Sequence, residues 1–245
     1  MLKGERSIVR FLHDLRELNG CVELQQRIWG CADIDVLPAP IFVVTLKTGG
    51  QVLGAFAGGK LVGFALSFSA QGDTRAYLHS HMVAVLPECQ NQGIGRQLKL
   101  AQRREALARG IDLIEWTFDP FEIKNAHFNI ALLGAIVRRY IPNCYGHTSS
   151  PLHRGLPTDR LVAEWWLRSE RVEGCVAGKY QDRSFVGERI AVPADMQETC
   201  RRAPHEAEQI QLHLRRSFES SFAKGQAAVG FKRDQSGGKY LMGAL

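Results

Sequence analysis

A mixed α/β fold is what the sequence predicts: a mixed central sheet with helices on both faces, plus a C-terminal α/β extension. Three observations carry this. Periodic segments run helix, helix, strand, strand, strand, helix, strand, helix, strand, strand, which joins a β-meander to later βαβ units. A strand-type run ends in a glycine-bearing loop that opens a polar helix between His81 and Leu98. The composition, 45% apolar and 23% charged over 245 residues, is that of a globular chain with its own core.

Residues 13–28 space Leu15, Leu18, Val22 and Leu24 among polar residues, as a helix does. Pro38 and Pro40 interrupt, and residues 41–46 form a second short helix that Gly49 and Gly50 end. Two β-type runs, 51–56 and 61–68, flank Gly58-Gly59-Lys60, a hairpin signature because paired glycines reach positive φ at little cost. Residues 75–86 form a third strand. Its alternation puts Tyr77, His79, His81, Val83 and Val85 on one face and Leu78, Met82 and Ala84 on the other. A helix over 95–109 stops at Gly110. A strand at 111–118 ends at Asp119-Pro120, a helix spans 125–133, and strands follow at 135–141 and 161–167. Residues 142–159 form a loop rich in Gly, Pro, His and Ser. In the tail, 194–222 reads as one long helix or a broken pair, and 227–232 with 239–242 as a hairpin over Ser236-Gly237-Gly238. The domain reading is a core over 1–170 and an extension over 171–245, with too few apolar residues to fold alone.

Charge and composition narrow the function classes. The net charge of +6 suits an anionic ligand, but no dense Lys/Arg block points to nucleic acid. Six scattered cysteines, Cys21, Cys31, Cys89, Cys144, Cys175 and Cys200, form no CxxC pair and no zinc spacing, so reduced thiols and a cytoplasmic location are expected, with no metal. The first twenty residues carry charges throughout instead of the apolar run of a signal peptide, and no apolar window is long enough to span a membrane.

The informative stretch is the loop Gln90, Asn91, Gln92, Gly93, Ile94, Gly95, followed at once by Arg96. Unpaired backbone N–H groups and the helix dipole make a helix N-terminus an anion site. Gly93 and Gly95 let a phosphate approach with no Cβ in the way, and Arg96 adds a charged donor. No Gly-Lys-Ser/Thr follows, so this is not a Walker loop, and GxGxxG is incomplete, so it is not a dinucleotide fingerprint. Two glycines before a helix are otherwise read as a tight turn with no ligand.

The whole string, Val-Ala-Val-Leu-Pro and then Gln-Asn-Gln-Gly-Ile-Gly, resembles the acyl-CoA signature Gln/Arg-x-x-Gly-x-Gly/Ala of the GNAT superfamily of N-acyltransferases. The resemblance covers the element order from Leu15 to Leu167, and stretches such as Trp29 to Asp35 and Thr158 to Trp165 are similar to a larger bacterial branch of that superfamily. It implies the GNAT fold, with Gln90 to Gly95 and Arg96 on the CoA pyrophosphate and Val83, Ala84 and Val85 along the pantetheine arm. It also implies Asn125 as a pantetheine contact, and it departs at the tyrosine four residues before Gly134, where Ile130 stands. The family's proton donor to the departing thiolate is therefore missing there, and Tyr140 and Tyr145 are the replacements considered. Each is otherwise an ordinary core or loop aromatic.

His79 aligns, counted from the Gly-x-Gly loop, with the glutamate general base of the histone-modifying branch, and a neutral imidazole accepts a proton near pH 7. The alternative is a histidine packed in a half-buried strand. Asp119 and Arg160 are candidates for an acceptor's ammonium and carboxylate, set against plain surface charge. Together these readings give an enzyme that moves an acyl group, acetyl or succinyl, from acetyl-CoA or another acyl-CoA to a small-molecule primary amine such as an amino acid. A homodimer is compatible with the sequence. The competing class is a non-catalytic acyl-CoA sensor that kept the loop and lost the acid; a third is a nucleotide module using the same loop.

Overall fold

The computed structural model describes residues 7–30, 35–146, 155–179 and 187–245. Cys31, residues 147–154 of the expected loop and residues 180–186 of the tail lie outside them. The chain forms two compact units, Met1–Ile114 and Glu115–Leu245.

In the first unit, β1 (Ile8–Phe11) precedes α1 (Leu15–Trp29). Asp14 caps α1 by accepting from the Arg16 amide at 2.6 Å, and Gly30 ends it in the left-handed region at φ 58°. Pro38 cannot continue a helix from before, so α2 (Ala39–Lys47) starts fresh after it. Then come β2 (Gln51–Ala57), β3 (Lys60–Gln71) and β4 (Ala76–Val85), and after a 3-10 turn at Pro87–Cys89, α3 (Ile94–Ala108). The strands lie in the order β1-β2-β3-β4, and every neighbouring pair is antiparallel. The β2–β3 hairpin turns at Gly58 and Gly59, at φ 54° and 73°, as the paired glycines require.

The helices divide between the two sheet faces. Phe64 meets Trp29 of α1 and Phe42 of α2 edge-on, with ring centroids 6.4 and 5.8 Å apart. Ser67, of opposite parity, meets Gln102 of α3 at 2.6 Å on the other face. Leu12, Leu18, Phe42, Phe64, Leu66 and Leu98 are buried in the resulting core.

One expectation is corrected here. β4 does not keep strict alternation, because Leu66 pairs with Met82 while Ser67 pairs with Ser80, leaving His81 as an extra, bulged residue. Directly paired residues share a face, and a bulge shifts the alternation beyond it. Val83 and Val85 therefore share the face of Leu78 and Ser80, and His79 stands on the opposite face. A period-2 reading cannot see one inserted residue.

β5 (Leu113–Phe118) begins at the end of the first unit and continues into the second, where α4 (Ile123–Ala126) runs into a π-helical turn at His127–Leu132. Then follow β6 (Ile136–Ile141), β7 (Arg160–Trp166), α5 (Glu170–Val176) and β8 (Glu188–Pro193). α6 (Met196–Arg202), α7 (Pro204–Ala223), β9 (Ala227–Asp234) and β10 (Gly237–Gly243) complete it. The order here is β5-β7-β6-β9-β10-β8. The break between α6 and α7 is at Pro204, which pushes Ala203 to φ −144°. Tail and earlier strands share one sheet, with Ala228 of β9 opposite Val137 of β6. Phe218 of α7 is fully buried against Tyr140 and Tyr240, with ring centroids 5.8 and 5.0 Å away.

Within that tail, β10 runs between β9 and β8, and Gly237 sits at φ 142° where an added Cβ would lie 2.0 Å from the Val192 carbonyl oxygen. Backbone cannot swing away as a side chain can. Gly237→Ala should cost about 1–3 kcal/mol or more, whereas Gly59→Ala, with open space at its Cβ, should cost only about 1–2 kcal/mol for its left-handed φ. Chemical denaturation of the two variants compares them directly; equal midpoints would show that the β8–β10 packing is not this tight.

Candidate functional site

In the first unit a strand, a turn and a helix N-terminus follow one another at residues 85–95. β4 ends at Val85, and Leu86 stays tied to the sheet by donating to the Val62 carbonyl at 2.9 Å. The Pro87–Cys89 turn then reverses the chain. Asn91 adopts φ 59° and Gly93 φ 81°, so two left-handed residues lead into the first turn of α3. Gly93 is the N-cap, no side chain caps it, and no acidic residue lies in the first turn. Ile94, 4% exposed, anchors that turn in the core.

The loop's own side chains secure it. Gln90 Nε2 donates to the Val85 carbonyl and Gln92 Nε2 to the Glu88 carbonyl, each at 3.0 Å. These amides hold the loop's shape, and the first-turn N–H groups have no carbonyl one turn back to bond. A Cβ at Gly93 or Gly95 would meet nothing within 4 Å. Gly93 needs its positive φ. Gly95 needs glycine neither for φ nor for internal packing, and it leaves open space beside the first turn of α3. That space, the first-turn amides and the absence of acid in the first turn fit a pyrophosphate.

On β4, the sequence-predicted Val83, Ala84 and Val85 pair with Ala65, Phe64 and Gly63 of β3. Gly63 is required there, since its Cβ would lie 2.6 Å from the Ala84 carbonyl oxygen. His79 is half-buried on the same strand, its ring centroid 6.1 Å from that of His81. Burial, and then the charge of Lys99, lower its pKa below the usual imidazole value. Burial and then His79 push His81 down to about 4. Both imidazoles are therefore neutral at pH 7, the state in which a histidine accepts a proton.

The remaining candidates belong to the second unit. Asn125 is exposed on α4. Ile130 is fully buried inside the π-helical turn, and its carbonyl accepts from Arg171 Nη2 at 3.1 Å. Trp116 and Phe118 are core, Trp116 packing edge-on against Trp165 at 6.0 Å. Asp119 Oδ1 accepts from the Phe121 amide at 2.8 Å and so shapes the turn that ends β5.

The two tyrosines differ. Tyr140 donates its hydroxyl proton to Asp159 Oδ2 at 2.7 Å. Asp159 is 1% exposed and also accepts from Arg215 Nη2 at 2.8 Å and the Asn143 amide at 2.9 Å. Burial, and then the hydrogen bond and charge of Asp159, push the Tyr140 pKa up, so its proton is held. Tyr145 is 46% exposed. Its hydroxyl lies 2.6 Å from Thr117 Oγ1, and the Arg160 guanidinium sits 5.3 Å from its ring centroid. The Asp159–Arg215–Tyr140 cluster was missed in the sequence because its members are 19 and 56 residues apart.

Comparison with known proteins bears on the fold. Residues 18–128 match the family model described as Acetyltransferase (GNAT) family. No curated protein matches the sequence. Among solved structures, the ribosomal-protein-S18-alanine N-acetyltransferase from Escherichia coli is similar with a TM-score of 0.54 at 17% identity, over 67% of this chain and 96% of that one. FeeM, an N-acyl amino acid synthase from uncultured soil microbes, gives 0.54 at 15% identity over 73% and 99%. The yncA protein of Salmonella typhimurium, solved with acetyl-CoA, gives 0.51 at 19% over 67% and 96%.

The difference between the tyrosines can be measured. Tyr140→Phe leaves Asp159 short of one donor and should cost about 1–3 kcal/mol of stability, with any enzymatic rate unchanged below the melting point. A Tyr140→Phe protein that melts as wild type but has lost turnover would return Tyr140 to the chemistry.

Proposed function

We propose that this chain, whose residues 18–128 match the GNAT acetyltransferase family model, transfers an acyl group from acyl-CoA to a primary amine of a small molecule such as an amino acid. The acyl group is acetyl or a larger one such as succinyl. The observation that carries this reading is the N-terminus of α3, where Gly93 and Gly95 leave open space beside the first-turn amides and no side chain caps the helix. Gln90, Asn91, Gln92, Gly93, Ile94, Gly95 and Arg96 hold the pyrophosphate in this reading, Val83 to Val85 run beside the pantetheine, and Asn125 adds a contact.

The thioester supplies an activated carbonyl and a stable leaving group. What the protein must supply is a free amine, because an amine acceptor is mostly protonated at pH 7. His79 is assigned as the base that takes that proton, directly or through one water. The amine nitrogen then forms its bond to the carbonyl carbon, the carbon–sulfur bond breaks, and the second proton that nitrogen loses offsets the one the thiolate takes up. Tyr145, with its hydroxyl near the surface, is assigned as the donor to the departing thiolate. Tyr140 is assigned a structural role, since its proton is committed to Asp159.

One observation favours a second reading, a non-catalytic acyl-CoA sensor: Ile130 is fully buried where the family signature carries tyrosine. Release of free CoA thiol from acetyl-CoA and succinyl-CoA against a panel of amines separates the two, since a sensor binds and releases none.

Gly95→Ala should fold at least as stably as wild type, since alanine favours a helix interior by about 0.5–1 kcal/mol over glycine. It should also lose CoA affinity by roughly tenfold or more, as the methyl group fills the space left for phosphate. Unchanged affinity by calorimetry would move the CoA site elsewhere. His79→Gln keeps most of the volume but cannot take the proton, so kcat should fall by ~10²–10⁴-fold with CoA affinity retained. A full-rate His79→Gln enzyme with the wild-type pH profile would remove His79 from the mechanism.

A further inference from the structure

Tyr145 is exposed, yet it is held at three places. Its backbone N–H donates to Thr158 Oγ1 at 2.8 Å, its hydroxyl lies 2.6 Å from Thr117 Oγ1, and its ring centroid lies 5.3 Å from the Arg160 guanidinium. Fixing an exposed side chain costs conformational entropy with little burial to offset it. Core packing does not account for such a hold. Preorganisation of a working group does.

The hold leads back to α7. Thr158 is 2% exposed, its carbonyl accepts from the Cys144 N–H at 2.9 Å, and its own N–H donates to Asn143 Oδ1 at 3.3 Å. Asn143 makes the turn at φ 45°, a left-handed setting that asparagine tolerates better than most residues. The Asn143 N–H donates to Asp159 Oδ1 at 2.9 Å. Residues 143–146 and 157–160 are therefore joined to each other, and Asp159 is where they are joined to the tail. A buried carboxylate needs a partner. Arg215 is that partner and binds as a fork, Nε donating to Oδ2 at 3.0 Å and Nη2 to Oδ1 at 2.8 Å. One turn earlier on α7, Gln211 Nε2 donates to the Pro157 carbonyl at 2.8 Å.

We propose that Arg215 is a positioning residue for Tyr145: through Asp159 and the Asn143–Thr158 turn, helix α7 sets where the Tyr145 hydroxyl stands. The inference rests on the reading of Tyr145 as the donor to the departing thiolate, and it gives the C-terminal extension a part in that step. Tyr140 binds the same carboxylate with one neutral hydroxyl, so its loss leaves the fork in place. Loss of Arg215 removes the ion-pair partner of Asp159. A buried carboxylate without its partner turns toward water, and in turning it gives up the Asn143 amide.

The test compares Arg215→Gln with wild type as full chains. Amide hydrogen exchange, followed by NMR at Asn143, Cys144 and Tyr145, reads the turn. The kcat with acetyl-CoA, and with whichever amine of the panel above is acylated fastest, is measured with and without Tyr145→Phe. The expected result is exchange at those three amides faster by about tenfold or more. With it go a kcat lower by roughly ten- to a hundredfold, unchanged CoA affinity, and no further loss once Tyr145→Phe is present. A residue that served only stability would lower kcat, if at all, equally in both backgrounds. Arg215→Lys keeps the charge and loses the fork, so it serves if the Gln variant does not fold. Unchanged exchange at the three amides in a folded variant overturns the inference, whatever its rate. So does an equal loss of kcat with and without Tyr145→Phe. Faster exchange beside a full-rate Tyr145→Phe enzyme upholds the tie between α7 and Tyr145 and overturns Tyr145 as the proton donor.

Discussion

The seating of α3 on β3 and β4 is the constraint from which the rest of the first unit follows. Leu98, Ala101 and Ala106 supply apolar contact, which a helix could make in several registers. Gln102 removes that freedom. Ser67 and Ser80 face each other across the β3–β4 pair, and the single amide of Gln102 bonds both, one through each end. A two-ended polar contact is satisfied in one axial and one rotational setting, and missing it would leave buried groups unpaired. With the helix fixed, its first turn has one place relative to the end of β4. Residues 86–93 must close that gap, which they do with a 3-10 turn and left-handed residues at Asn91 and Gly93. The open loop at the head of α3 is thus a consequence of how the helix is held.

Much of this was legible in the sequence, for reasons that particular residues make plain. Asp14, Gly30, Gly58, Gly59 and Gly93 each answer a backbone demand that few other residues meet, so they mark helix ends and turns by chemistry alone. The β2–β3 hairpin, α3 and the loop before it were readable on that basis. What stayed hidden depends on contacts or counting. β1 is four residues with alternating exposure at a sheet edge, and Ile8 is 66% exposed, so no apolar run announces it. The bulge at His81 inverts the faces of Val83 and Val85 without leaving a residue-type signature.

The tail shows the same division. Pro204 made a broken helix pair readable as one of two options, and Ser236-Gly237-Gly238 marked the last hairpin. β8 and α5 went unread, since six residues of mixed exposure and a seven-residue helix rely on partners more than on their own periodicity. The Asp159 cluster is further from local signal still. Asp, Tyr and Arg are ordinary surface residues by type, and only folding reveals that one carboxylate binds Tyr140, Arg215 and the Asn143 amide together. That cluster also gives Tyr140 a structural partner that its residue type does not announce: a phenol looks like a proton donor until its acceptor is known.

The absence of tyrosine at position 130 weighs differently once the two proton transfers of the proposed reaction are compared. Ile130 is fully buried in a π-helical turn, so its side chain serves the core and a hydroxyl there would need a partner of its own. A thiol has a pKa of about 8.5, so a thiolate leaves near neutral pH with little assistance. An alkylammonium has a pKa near 10.4, so on the order of one acceptor in a thousand is free to attack at pH 7. The larger obstacle is the removal of a proton from the acceptor. A reaction of this kind tolerates the loss of an acid better than the loss of a base. In the proposed reaction His79 answers the greater demand: its imidazole is half-buried and held below its usual pKa, on a strand whose bulge follows Ser80.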